Sequence, residues 1–123
     1  MKVKWDFGER KLTLFLDGEL DHHAAKKVIR EIGELVDDKL PLRCTLDLEG
    51  VSFMDSSGIA VVLGLYRRIY EIGGELKVIN VQLQSYKVLS AAGVEKIVKL
   101  FPVNSEELCG GSFVRAAGGD TNS

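Results

Sequence analysis

Cysteine, histidine, long apolar runs and clustered basic charge are all scarce in this 123-residue chain, and each scarcity removes a class of function. Two cysteines, Cys44 and Cys109, are too few for a disulfide scaffold. Both are expected as free thiols in a reducing compartment, and Cys44, within a strand-like run, reads as a small buried hydrophobe. The two histidines, His22 and His23, are neighbours in sequence. Adjacent side chains project in different directions, whereas zinc needs three or four convergent ligands. No metal and no cofactor is expected. No apolar segment has the length of a signal-peptide core or a membrane span, so the expectation is a cytoplasmic protein with no membrane partner. Sixteen basic against 18 acidic residues leave a formal charge of −2. Lys26–Lys27 and Arg67–Arg68 are isolated pairs rather than a basic face, which argues against nucleic acid.

What is present is the composition of an ordinary globular protein, 46% hydrophobic and 28% charged. The length suits one domain that buries roughly two thirds of its unfolded surface. Strand and helix patterns alternate. Residues 2–6 and 10–17 read as strands around a turn at Gly8, with Leu12, Leu14 and Leu16 on one face. Residues 24–40 switch to helical spacing, with Ala25, Val28, Ile29, Ile32, Leu35 and Val36 as the apolar stripe and Pro41 as the stop. Residues 43–53 return to a strand. A second helix occupies 57–72, its stripe formed by Ile59, Val62, Leu63, Tyr66 and Ile69 or Tyr70, and Gly73–Gly74 end it. A strand at 75–81, a short helix at 84–93, a strand at 96–101 and a helix from Ser105 complete the domain. Trp5, Phe7 and Phe15 read as core or sheet-face aromatics. Such alternation implies a single α/β domain with a mixed, mostly parallel sheet flanked by helices. Residues 1–109 form that domain, and the Gly-rich stretch 110–123 reads as a flexible tail.

The chemistry concentrates in "MDSSG", residues 54–58, where a strand gives way to a helix. A serine at such a turn suits the nucleophile elbow of hydrolases. Here Met54 replaces the elbow's first glycine, and both histidines lie upstream of the serines, which disfavours a small serine hydrolase. Asp, Ser and Ser before an apolar helical stripe also make a helix start, where a side-chain oxygen satisfies a first-turn amide. The same helix start would tolerate an added phosphate. A phosphoserine brings about −1.5 to −2 charge, so the modification would act on whatever binds that surface. On the residues alone, capping and modification remain in competition. Asp21, just before the first helix, is a candidate cap as well, and Gly58 and Gly64 suit close packing near the motif.

Three blocks, "GELDHHAA" (18–25), "LDLEGVSFMDSSGIAVVLG" (46–64) and "EIGGELKVINV" (71–81), closely resemble the anti-sigma factor antagonists, small STAS-domain proteins. The "GELDHH" block is most similar to the sporulation branch acting on the sigma-F switch. The resemblance runs from about residue 3 to residue 108 and implies a non-enzymatic, phosphorylation-controlled partner switch. By this resemblance the unmodified protein binds an anti-sigma factor with serine kinase activity and releases the sigma factor. The kinase phosphorylates Ser56, which weakens the complex, and a PP2C-type serine phosphatase restores the active form. The resemblance places Asp21, Asp55, Ser57, Gly58, Glu19 and His22 at the partner-binding surface. A STAS module in a general stress-response complex is the alternative within the same family.

Overall fold

A computed structural model of the chain describes residues 1–103. The elements are strands β1 (Lys2–Gly8) and β2 (Lys11–Leu20), helix α1 (His22–Lys39), strand β3 (Arg43–Met54), helix α2 (Ser57–Glu71), strand β4 (Glu75–Val81), helix α3 (Leu83–Ala91), a 3₁₀ turn at Val94–Lys96, and strand β5 (Lys99–Pro102). They form one five-stranded sheet in the order β1-β2-β3-β4-β5. β1 runs antiparallel to β2, and the remaining neighbours are parallel. The helix expected from Ser105 and the Gly-rich tail lie outside the described residues.

Strand order equal to chain order fixes where the helices go. Each crossover from β2 to β5 steps one strand in the same direction, and crossovers of one hand then put α1, α2 and α3 on one face. The burial pattern agrees. Leu12, Leu14, Leu16 and Leu20 point into the helices and are buried, while Phe15, Asp17 and Glu19 point the other way and are exposed. Leu46, Leu48, Val78, Val28, Ile32, Val61, Leu65 and Ile69 belong to the same core.

The turn between β1 and β2 falls at Glu9–Arg10 rather than at Gly8, which is itself paired with Lys11. Both turn residues have positive φ, 53° and 63°, the geometry that matches the twist of a two-residue hairpin. α1 stops where Leu40 turns left-handed, its N–H donating to the Val36 carbonyl at 2.8 Å, and Pro41 follows. The predicted stripes need adjustment. In α1, Ile29 is exposed, and Gly33 takes its place in the buried set. In α2, Val61 and Leu65 are buried, Ile59, Leu63 and Tyr66 are half-buried, and Tyr70 stands in solvent. The last strand begins at Lys99, because Gly93 at φ 75° leads into the 3₁₀ turn instead. Phe15 lies on the uncovered sheet face, and Trp5, half exposed, sits beneath the Lys39 ammonium at 4.8 Å.

Towards its end β3 carries two residues more than the matching stretch of β2. The register passes from Phe15↔Asp47 to Asp17↔Gly50, and then from Gly18↔Val51 to Glu19↔Phe53. Burial on β3 accordingly changes from every second residue, at Cys44, Leu46 and Leu48, to every third, at Val51 and Met54. Gly50 is required at the first irregularity, since a Cβ there would lie 2.8 Å from the Leu16 carbonyl oxygen.

Candidate functional site

β2 and β3 finish side by side, so the residues that follow them share one end of the sheet. Leu20 pairs with Met54, and the Asp55 N–H donates to the Leu20 carbonyl at 3.2 Å. Asp21 and Asp55 therefore leave adjacent strands at the same level, and each starts a helix.

At α1 the cap is Asp21, whose Oδ1 accepts from the Ala24 N–H at 3.0 Å. That bond, opposed in part by desolvation and aided by the His23 amide and the imidazoles of His22 and His23, holds the Asp21 carboxyl below its ordinary value of 3.8. His22 and His23 are both exposed, with ring centroids 4.0 Å apart. Among the described residues no three His, Cys, Asp or Glu side chains converge on a point that could hold a metal ion.

At α2 the acid does the capping as well. Asp55 Oδ1 accepts from the Ser57 N–H at 2.8 Å, and the Asp55 carbonyl accepts from the Gly58 N–H at 3.0 Å. Ser56 already has helical backbone angles, and its side chain makes no capping bond. Its hydroxyl is exposed at the positive end of a helix and has no hydrogen-bond partner among the described residues. The rival readings separate here. Asp55 removes the need for a serine cap, and among the described residues neither imidazole hydrogen-bonds a serine to activate it.

The remaining expected site residues take different places. Glu19 is exposed on the uncovered sheet face, one residue before Leu20, and Ser57 is half-buried in the first turn of α2. Gly58 is buried, so its part is played beneath the surface: a Cβ there would stand 2.4 Å from Met54 Cγ and 2.6 Å from Sδ. Gly64 has no such neighbour and is not a close-packing glycine. Sequence reasoning did not pick out Gln84, whose side chain bonds both backbone groups of Met54. Nor did it find the exposed apolar pair beside the site, Phe53 at 42% and Leu83 at 68%.

The STAS domain family model matches residues 5–107. The chain belongs to the STAS-domain family. Within that family its relatives include anti-sigma factor antagonists. It is 32% identical over 101 residues to the anti-sigma F factor antagonist of Paenibacillus polymyxa, covering 82% of this chain and 86% of that one. Similarity to the anti-sigma-B factor antagonist of Bacillus subtilis is lower, 26% over 92 residues, or 75% and 83% of the two chains. Among solved structures, this STAS domain resembles the anti-sigma factor antagonist SpoIIAA in its unphosphorylated form, with a TM-score of 0.70 and 25% identity over 89% and 97% of the chains. It also resembles the Bacillus cell fate determinant SpoIIAA in the phosphorylated form, with a TM-score of 0.64 and 26% identity over 80% and 90%. A single mixed sheet with helices on one face is thus the STAS fold, and this chain is an anti-sigma factor antagonist by family.

Proposed function

We propose that this chain binds an anti-sigma factor that is also a serine kinase, frees the sigma factor, and is switched off when the kinase phosphorylates Ser56. The observation that carries this reading is the division of labour at α2, where Asp55 supplies the cap and leaves the Ser56 hydroxyl exposed, with no hydrogen-bond partner among the described residues. The existence of a similar protein in unphosphorylated and phosphorylated forms supports it. In the transfer, Ser56 Oγ attacks the γ-phosphorus of ATP, the bond to the bridging oxygen breaks and ADP departs, and the hydroxyl proton passes to a basic group of the kinase. The product adds about −1.5 to −2 charge at a helix start that accommodates an anion, so the fold survives. The docking surface comprises the ends of β2 and β3, with Glu19, Asp21, His22, Asp55 and Ser57 around Ser56 and Gly58 supporting the turn from below. An anionic phosphate beside Asp21 and Asp55 repels acidic groups of a partner and must be desolvated on docking. A PP2C-type serine phosphatase reverses the switch. The reading places the protein in the cytoplasm and in sporulation, and no helix among the described residues is long and apolar enough to cross a membrane.

Incubation with a sigma-F-type anti-sigma kinase and ATP, followed by mass spectrometry, tests the assignment. Phosphate should appear on Ser56, the Ser56→Ala variant should bind the kinase and resist inactivation, and Ser56→Asp should bind poorly. Phosphate confined to Ser57, or none at all, would refute the site. Similarity to anti-sigma-B factor antagonists favours a general stress-response role as the second reading. Phosphorylation by a sigma-B-type kinase and not by the sigma-F type would select it.

A further inference from the structure

β3 loses one of its strand neighbours before it reaches the site. Pairing with β4 ends at Asp47↔Ile79, so among the described residues the remainder of β3 has β2 on one side and no strand on the other. Of three side-chain amides spaced two residues apart in sequence, Asn80 lies where the pairing ends, and Gln82 and Gln84 take up backbone groups of the vacated edge. Asn80 Nδ2 donates to Asp47 Oδ2 at 3.2 Å, and Gln82 Nε2 donates to the Glu49 carbonyl at 3.0 Å. Gln84 makes the fullest contact: Oε1 accepts from the Met54 N–H at 2.8 Å, and Nε2 donates to the Met54 carbonyl at 2.7 Å. A primary amide carries one acceptor and two donors in a plane, so it can stand in for the peptide of a missing strand.

The chain entering the "DSSG" turn is thereby gripped from both sides. β2 holds the Asp55 N–H through the Leu20 carbonyl, and α3 holds Met54 through Gln84. Met54 is also the residue on which Gly58 rests, so a displacement of its backbone would carry the first turn of α2 with it. We infer that Gln84 is a positioning residue for the modification of Ser56, fixing where the hydroxyl is presented to the kinase without touching it. This inference rests on the proposed phosphorylation of Ser56. It makes α3 a part of the switch, where the sequence directs attention only to the ends of β2 and β3.

The test uses Gln84→Met, which keeps the length and apolar stem of the side chain and removes both hydrogen bonds. A Val28→Ala variant, which opens a cavity in the core and leaves the Gln84–Met54 bonds in place, provides a comparison for loss of stability alone. With a sigma-F-type kinase and ATP, kcat for phosphorylation of Gln84→Met should fall about tenfold or more while KM changes less than about twofold, since small misplacements of a reacting group are costly. Val28→Ala should retain wild-type kcat. Hydrogen exchange, which needs no kinase, should show the Met54 amide exchanging faster in Gln84→Met than in Val28→Ala. An unchanged kcat in Gln84→Met, an equal loss in Val28→Ala, or an unaltered Met54 amide would each overturn the inference. Absence of phosphate on wild-type Ser56 would instead refute the function proposed above, and the Met54 amide would still report on the grip of Gln84.

Discussion

Two glycines on α2 should respond in opposite directions to the same substitution. Alanine is the better helix former by about 1 kcal/mol, so Gly→Ala in a helix with free space stabilises by roughly that amount. Gly64 meets this condition, as a Cβ there finds no atom of another element within 4 Å among the described residues. At Gly58 the new Cβ would lie 2.4 Å from Met54 Cγ and 2.6 Å from Sδ, contacts too short to survive. Met54 is fully buried, and the clash reaches Cγ close to its backbone, so the side chain cannot simply swing aside. Overpacking of this kind costs about 1–3 kcal/mol, and a displacement near 1 Å belongs at the upper end. After the helix-propensity gain, Gly58→Ala should lose about 2 kcal/mol, whereas Gly64→Ala gains about 1. At roughly 4 °C per kcal/mol for a domain of this size, Tm should fall by about 8 °C in the first and rise by about 4 °C in the second. Thermal melts with urea titrations measure both, and a double-mutant cycle with Met54→Ala isolates the clash. Gly58→Ala as stable as wild type, or insensitive to truncation of Met54, would show that α2 does not rest on Met54 as described.

Acid should expose the role of Asp21. Its folded-state value lies below 3.8, so the stability it contributes is fully present above that pH and is lost as pH falls through the lowered value. Asp21→Ala should therefore melt below wild type near neutral pH, with the gap closing in strong acid; a gap independent of pH would exclude the carboxylate as the cap. Burial pushes the Cys44 thiol from 9.0 up to about 12. Iodoacetamide at mildly alkaline pH should leave the Cys44 peptide unmodified until urea unfolds the protein, and rapid alkylation of the native form would contradict its burial.

The sequence discloses local chemistry better than long-range geometry. Asp21 and Asp55 announce helix starts because an acid preceding an apolar stripe has a short-range use, and the element order was legible from the alternation of periods. The buried face of α2 was harder, because apolar side chains surround much of that helix. Periodicity cannot tell that Val61 and Leu65 go in while Tyr70 stays out. The end of β3 defeats a period-two reading, since Val51 and Met54 are buried at a spacing of three. Gln84 left no trace, because its partner lies thirty residues away and an amide bound to backbone has no local pattern. The two serines were indistinguishable as letters. Only their exposure in the fold separates them, with Ser56 in solvent and Ser57 half-buried in the first turn of α2.

The two extra residues of β3 give the site a dependence on chain length as well as on side-chain identity. A strand slipped by one residue exchanges its faces, so deleting a single residue between 48 and 52 would turn Phe53 inward and Met54 outward. Gly58 would lose its seat, Gln84 its paired backbone groups, and Ser56 its bearing relative to Asp21. Point-substitution scans would pass over Glu49 and Ser52 as tolerant, since both face solvent, and would register only Gly50, which is pressed against the Leu16 carbonyl. Single-residue insertions and deletions there would act on the switch as a change of reading frame acts on a message.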